Sequence, residues 1–149
     1  MRRLSTLRRD PERGAISALV IVLIVMLFAV AGLIYDGGRA INARQQAFDD
    51  AEQAARAGAD RIDMELFRSQ GVVQVQQAEA KQAAMNHLAG LPDRQYDEVA
   101  VSFPGESTVR VEVARTVPTG LLQMVFVNSF DVNGEATAQP EVGILGDEL

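Results

Sequence analysis

The sequence predicts an α+β protein, in which a long N-terminal helix begins inside a membrane and packs its outer part on a small antiparallel sheet. Three observations carry this. Residues 15–35 hold no charged side chain and follow an arginine-rich start. A helical rhythm of small and apolar residues continues beyond them to about Phe67. Toward the other end, two stretches alternate apolar and polar residues around a Pro-Gly turn.

The apolar run comes first. At 1.5 Å per residue, a helix of about 21 residues spans about 30 Å, the thickness of a bilayer's hydrocarbon core. Thirteen of these residues are Leu, Ile, Val or Phe. At about −0.3 to −0.6 kcal/mol each, they favour insertion by roughly 4 to 8 kcal/mol. Only Ser17 and the Tyr35 hydroxyl oppose it, and no polar face of the kind a soluble core helix shows is present. Arg2, Arg3, Arg8, Arg9 and Arg13 precede the run against Asp10 and Glu12. Basic flanks stay cytoplasmic, so the N-terminus is expected inside and the chain after Tyr35 outside, in a single-pass protein of the cell membrane. The alternative is a cleaved secretory signal, since Ala29-Val30-Ala31 fits a small-x-small pattern. The run is longer than an ordinary signal core, which favours the span. The expected organisation is a basic cytoplasmic leader (1–14), a transmembrane helix (15–35), an exported domain (36–139) and a flexible tail (140–149).

Past the span about 114 residues remain, enough for one small domain. The overall charge is −6. Because the leader is basic, the rest of the chain is more acidic still, which argues against nucleic acid as a partner. With no cysteine, no disulfide can staple the domain, so packing must stabilise it.

After the span, Ile34, Ile41, Phe48, Ala55 and Ile62 recur every seven positions, with Ala51 and Gly58 three residues after Phe48 and Ala55. This predicts a narrow apolar seam on a helix over 39–67. Ala43, Ala47, Ala51, Ala55 and Ala59 add a row of small side chains that lets another element come close. That element is either the chain's own sheet or another subunit's helix. Asp36-Gly37-Gly38-Arg39 marks the junction between lipid and exterior, where two glycines weaken the helix by about 1 kcal/mol each and suggest a bend. Ser69-Gln70-Gly71 interrupts the pattern. A second helix is expected over 75–89, stopped by Gly90 and Pro92. Val99, Val101 and Phe103, then Val109, Val111 and Val113, predict an antiparallel hairpin about residues 104–107 with one buried face. Residues 121–127 suggest a short helix, and residues 130–138 a third strand with Phe130, Val132 and Ala136 inward.

The chemistry-bearing residues favour no reaction. His87 is the lone histidine, and its position at a helix end suits an interaction with the helix dipole. Asp49, Asp50, Glu52, Asp60, Asp63 and Glu65 could in principle hold a cation, but calcium loops need ligands around a glycine turn. Interleaved with Arg56, Arg61 and Arg68, they read as a solvated face. No nucleophile elbow, P-loop, H-E-x-x-H or C-x-x-C pattern occurs. The expectation is no enzyme, cofactor, metal or small-molecule substrate.

Three segments resemble the TadE/TadG-like family of tight-adherence (Flp, type IVc) pilus components. They are Arg13-Gly14-Ala15, the stretch from Ala31-Gly32-Leu33-Ile34-Tyr35 through Asp36-Gly37-Gly38-Arg39, and the alanine-rich Ala51-Glu52-Gln53-Ala54-Ala55-Arg56-Ala57-Gly58-Ala59. The valine-rich hairpin leading to Pro118-Thr119 is also similar to short members. The resemblance implies a pilin-like fold and a structural role as a minor pilin-like subunit or an assembly and anchoring component. Its partners would be the bilayer, other pilin-like subunits and pilus assembly platform proteins, and an extracellular pilus would be a further location. Ile34, Ile41, Phe48, Ala51, Ala55, Gly58 and Ile62 would serve helix packing or subunit contact. Gly14 and Ala15 are the candidate positions for leader cleavage, but Leu19 stands where processed pilins carry glutamate, which is closer to the uncleaved TadG type. The competing reading is a membrane-tethered extracytoplasmic binding module that does not join a filament.

Overall fold

The computed structural model describes residues 11–92 and 94–141; the leader up to Asp10 and nearly all of the expected tail lie outside the described residues. In chain order the elements are helix α1 (Pro11–Ala59), α2 (Met64–Gln70), α3 (Gln77–Ala89), strands β1 (Glu98–Gly105) and β2 (Thr108–Pro118), a 3₁₀ turn (Leu122–Val125) and β3 (Ser129–Ala138). The class is α+β, with a long apolar N-terminal helix and a three-stranded antiparallel sheet, as the sequence predicts.

Two compact units share α1. One holds the helix up to Gly38 together with Thr119–Asn128, and the other holds Arg39–Pro118 with the chain from Ser129 onward. In the first unit α1 is long and apolar enough to cross a membrane. From Ile16 to Tyr35 its exposed large apolar side chains are each at least 43% accessible, which a soluble core helix would not tolerate.

In the second unit β2 is central, in the order β1-β2-β3. Val101 pairs with Val111 across one ladder, and Val111 with Ala136, Val113 with Gly134 across the other. Side chains alternate between the two faces of a strand, so Val109, Val111 and Val113 form one buried row. Against this row lie Ala47, Ala51, Ala54, Ala55 and Ala59 of α1 and Ala80, Ala84 and Leu88 of α3. A core of alanine and valine has little side-chain volume, so helices and sheet must approach closely. Gly134 shows how closely: a Cβ there would overlap the backbone carbonyl of Ala47.

The alternation gives a direct test. Val111 is fully buried, so Val111→Asp is expected to cost several kcal/mol and unfold the sheet, because a carboxylate there has no partner. Arg110 faces the other way and meets Glu135 at 3.3 Å, with both side chains largely accessible. Arg110→Ser should therefore cost under about 1 kcal/mol. Urea unfolding of the two variants in detergent would separate these outcomes, and equal midpoints would contradict the inside-outside assignment.

Local boundaries depart from expectation in three places. The helix expected to reach Phe67 stops at Ala59. Residues 61–63 and 74–76 instead clasp one another: Asp63 N–H donates to Gln74 and Gln76 N–H to Arg61, with Ile62 bridged to Val75. Asp63 then caps α2, its Oδ1 accepting from Glu65 and Leu66 at 3.0 Å, and Gly71 ends it in the left-handed region at φ 69°. This clasp takes Val75 into the core at 3% exposure and delays α3 to Gln77. At the hairpin, β1 runs on to Gly105, which pairs with Thr108. The turn is therefore Glu106-Ser107, with an irregularity after Ser102 where Pro104 cannot donate to the ladder.

Candidate functional site

The junction residues build an unusual contact. Helix α1 runs without interruption through Asp36-Gly37-Gly38-Arg39, so the suggested bend at the glycine pair is not a break in the helix. A Cβ on Gly37 or Gly38 would meet nothing within 4 Å, and no neighbour requires either glycine. Asp36 is the informative residue. It follows the apolar run directly and is only 2% exposed, where a lone carboxylate would be costly. Three backbone donors answer it. Gly120 N–H donates to Oδ1 at 2.8 Å, and Leu121 and Leu122 N–H donate to Oδ2 at 2.8 and 2.7 Å. These N–H groups open the 3₁₀ turn and have no partner within it. The carboxylate thus does for a distant segment what an N-cap residue does locally, through charge-assisted bonds.

One helical turn earlier, Gly32 makes room for the same segment. A Cβ there would lie 3.2 Å from Leu121 Cβ and from Leu122 Cδ2, tighter than ordinary contact. The base of the connection is tied by Thr119, whose hydroxyl donates to Val127 O at 2.6 Å and whose N–H donates to Asn128 O at 3.0 Å.

A second polar pin lies in the other unit. Asp50, expected on a solvated face, is 1% exposed, which corrects that reading. Arg94 Nη1 and the Tyr96 hydroxyl both donate to it at 2.6 Å. Burial first, then the hydrogen bond to Asp50, pushes the Tyr96 hydroxyl pKa well up, so Tyr96 acts as a fixed donor. Arg115 lies over the Tyr96 ring at 5.6 Å and donates to Gln46 at 3.1 Å. Together these side chains fasten α1 to the segment leading into β1 and to β2. Asp49 is exposed, and Glu52 pairs with Arg56 one turn on at 2.5 Å, as a solvated face would have them. Among the described residues no cluster of His, Asp or Glu could hold a metal ion.

The seven residues proposed for helix packing or subunit contact do not share one face. Ala51, Ala55 and Gly58 are buried in the core and Ile62 is half-buried. Ile34, Ile41 and Phe48 are 73%, 71% and 46% exposed. A straight helix drifts about 20° per heptad, so a seven-residue repeat walks off any fixed face. The buried stripe instead runs Gly32, Asp36, Ala43, Ala47, Asp50, Ala51, Ala54 and Ala55, at helical three- and four-residue spacing. Both buried aspartates sit on it, and that spacing was the signal that could have found them. Gly58 faces the chain's own elements, since a Cβ would lie 3.1 Å from Ala80 O and 3.2 Å from Val109 Cγ1. Gly14 and Ala15 are exposed.

Residues 14–61 match the family described as "Putative Flp pilus-assembly TadE/G-like". The matched stretch is most of α1, including the apolar run, Asp36 and the buried stripe. No curated protein and no solved structure matches the chain. The TadE/TadG-like resemblance therefore extends over this segment, about a third of the chain.

Proposed function

We propose that the protein is a membrane-anchored minor pilin-like subunit, or an assembly and anchoring component, of a tight-adherence pilus. The observation that carries this is the family match over the same helix that contains the apolar run. The packing supports it further. The chain uses the small-residue stripe of α1 internally and leaves Ile41 and Phe48 exposed on the same helix. Exposed apolar side chains beyond a membrane span suit contact with a neighbouring helix. With Leu19 in place of the glutamate of processed pilins, the uncleaved anchoring role is the better fit within this reading. The apolar run would cross the cell membrane with its basic flank inside and the sheet outside.

The test uses the absence of cysteine. Ile41→Cys and Phe48→Cys, each as the single thiol in the full chain and labelled with a maleimide-benzophenone, should photo-cross-link to another pilus protein in cells that assemble the pilus. Absence of any adduct, with the protein inserted and folded, would favour the membrane-tethered binding module. Intact-mass analysis of the membrane-extracted protein decides whether the chain starts at Met1, Ala15 or Gly32.

A further inference from the structure

We propose that residues 121–127, in the connection between β2 and β3, form a foot that enters the headgroup region of the bilayer. This rests on the reading that α1 crosses that bilayer.

The first ground is continuity. Leu121 and Leu122 pack at Gly32, inside the apolar run, where the neighbouring Leu33 and Ile34 are 62% and 73% exposed. If those side chains are in lipid, the foot lies at the level of the span's last turn. The second ground is composition. Gln123 is the one polar side chain between Gly120 and Asn128, and its amide is turned back to Gly120 O at 2.7 Å. Met124 and Phe126 are 66% and 93% exposed, two large apolar side chains two residues apart in a segment with little polar surface of its own.

The third ground is the backbone. Irregular chain is tolerated at membrane depth only where its polar groups are answered internally. Here Asp36 takes three N–H groups, and Met124, Phe126 and Val127 donate to Leu121, Gln123 and Leu122 carbonyls. The fourth is Phe126 itself, the only non-glycine residue with positive φ (67°) among the described residues. That conformation favours glycine. Phenylalanine is used there instead, with its ring held outward, and apolar side chains such as Phe and Leu on an interfacial segment bury at the boundary of headgroups and acyl chains.

The sequence has no tryptophan, so one can be placed as a reporter. Full-length Phe126→Trp and, separately, Ile21→Trp would be reconstituted in phosphatidylcholine vesicles. The lipids would be brominated either near the carbonyl end or toward the methyl end of the acyl chains. The expected result for Phe126→Trp is blue-shifted emission, quenching mainly by the shallow bromines, and loss of quenching by aqueous iodide. Ile21→Trp should be quenched mainly by the deep bromines. Iodide quenching of Phe126→Trp, with Ile21→Trp still lipid-quenched, overturns the foot and leaves the span. Shielding of Phe126→Trp from both quenchers means that another polypeptide covers it, which also overturns the proposal. If Ile21→Trp is not lipid-quenched, the span reading fails first. Adding Asp36→Asn to Phe126→Trp should weaken the shallow quenching by loosening the foot.

Discussion

Replacing Gly134 with alanine is expected to separate helix α1 from the sheet. In most strands Gly→Ala helps, by roughly 0.5–1 kcal/mol, because alanine has less backbone entropy to lose. Here the added methyl would occupy the place of the Ala47 backbone carbonyl, and backbone cannot swing aside like a side-chain tip. Overpacking of well-packed cores costs about 1–3 kcal/mol and occasionally more; a clash with backbone belongs at the upper end. That is a large share of the stability of a small domain, about 5–15 kcal/mol. Gly37→Ala is the contrast: its methyl meets nothing within 4 Å, and removing a helix-interior glycine should add about 1 kcal/mol. Urea midpoints in the same detergent should move in opposite directions. Truncating Ala47 should not rescue Gly134→Ala, because the conflict is with main-chain atoms. A Gly134→Ala protein as stable as the parent would show that helix and sheet are farther apart.

Much of this arrangement was legible in the sequence, and the failures have physical causes. The long apolar helix, the valine alternation of β2, the third strand and the stop at Gly90 all rest on local signals: charge absence, period two, and a helix terminator. The end of α1 was misplaced because its cause is non-local. The clasp of residues 61–63 with 74–76 is a backbone pairing, and no side-chain pattern announces it. The glycine in β3 was also invisible as a contact, since Gly134 lies in sequence between Asn133 and Glu135 with nothing to show which backbone approaches. Once Ala47 is known to lie there, the glycine and the alanine row of α1 explain each other.

The candidate site divides in the same way. Asp36 was singled out as part of the junction, but its role depends on residues about eighty-five positions away, a separation that one sequence cannot bridge. In sequence, Asp50 belongs to an acidic group interleaved with Arg56, Arg61 and Arg68, which suggests a solvated face. Its place on the buried stripe, three residues after Ala47, outweighed that company. The heptad reading joined Ile34 to Ala55 across three repeats, over which a straight helix turns by about 60°. It therefore merged an exposed face with a buried one. The exposed part includes Ile41 and Phe48, the two side chains that the proposed pilus contact would use.

Removing the Asp36 carboxylate is the second change with a large expected effect. Asp36→Ala leaves the N–H groups of Gly120, Leu121 and Leu122 without the acceptor they now share. The Leu122 bond is buried and the other two are part-buried; a buried donor left unsatisfied costs about 1–3 kcal/mol, and the lost bonds are charge-assisted. The total is several kcal/mol, concentrated in the unit that holds Thr119–Asn128. Asp36→Asn keeps the shape but only one acceptor oxygen and turns an amide donor toward N–H donors, so it should loosen the same segment to a lesser degree. Hydrogen exchange in micelles is the direct measurement. The amides of Gly120, Leu121 and Leu122 should lose protection in Asp36→Ala, while Val111 in the central strand should keep most of its own. Protection unchanged at residues 120–122 would mean that the carboxylate does not hold the segment. Uniform loss across the sheet would mean that the contact supports the whole fold. With local loosening established, the pilus reading adds an expectation: Asp36→Ala remains in the membrane yet fails to support pilus assembly, because the residue that joins the apolar helix to the β2–β3 connection has been lost.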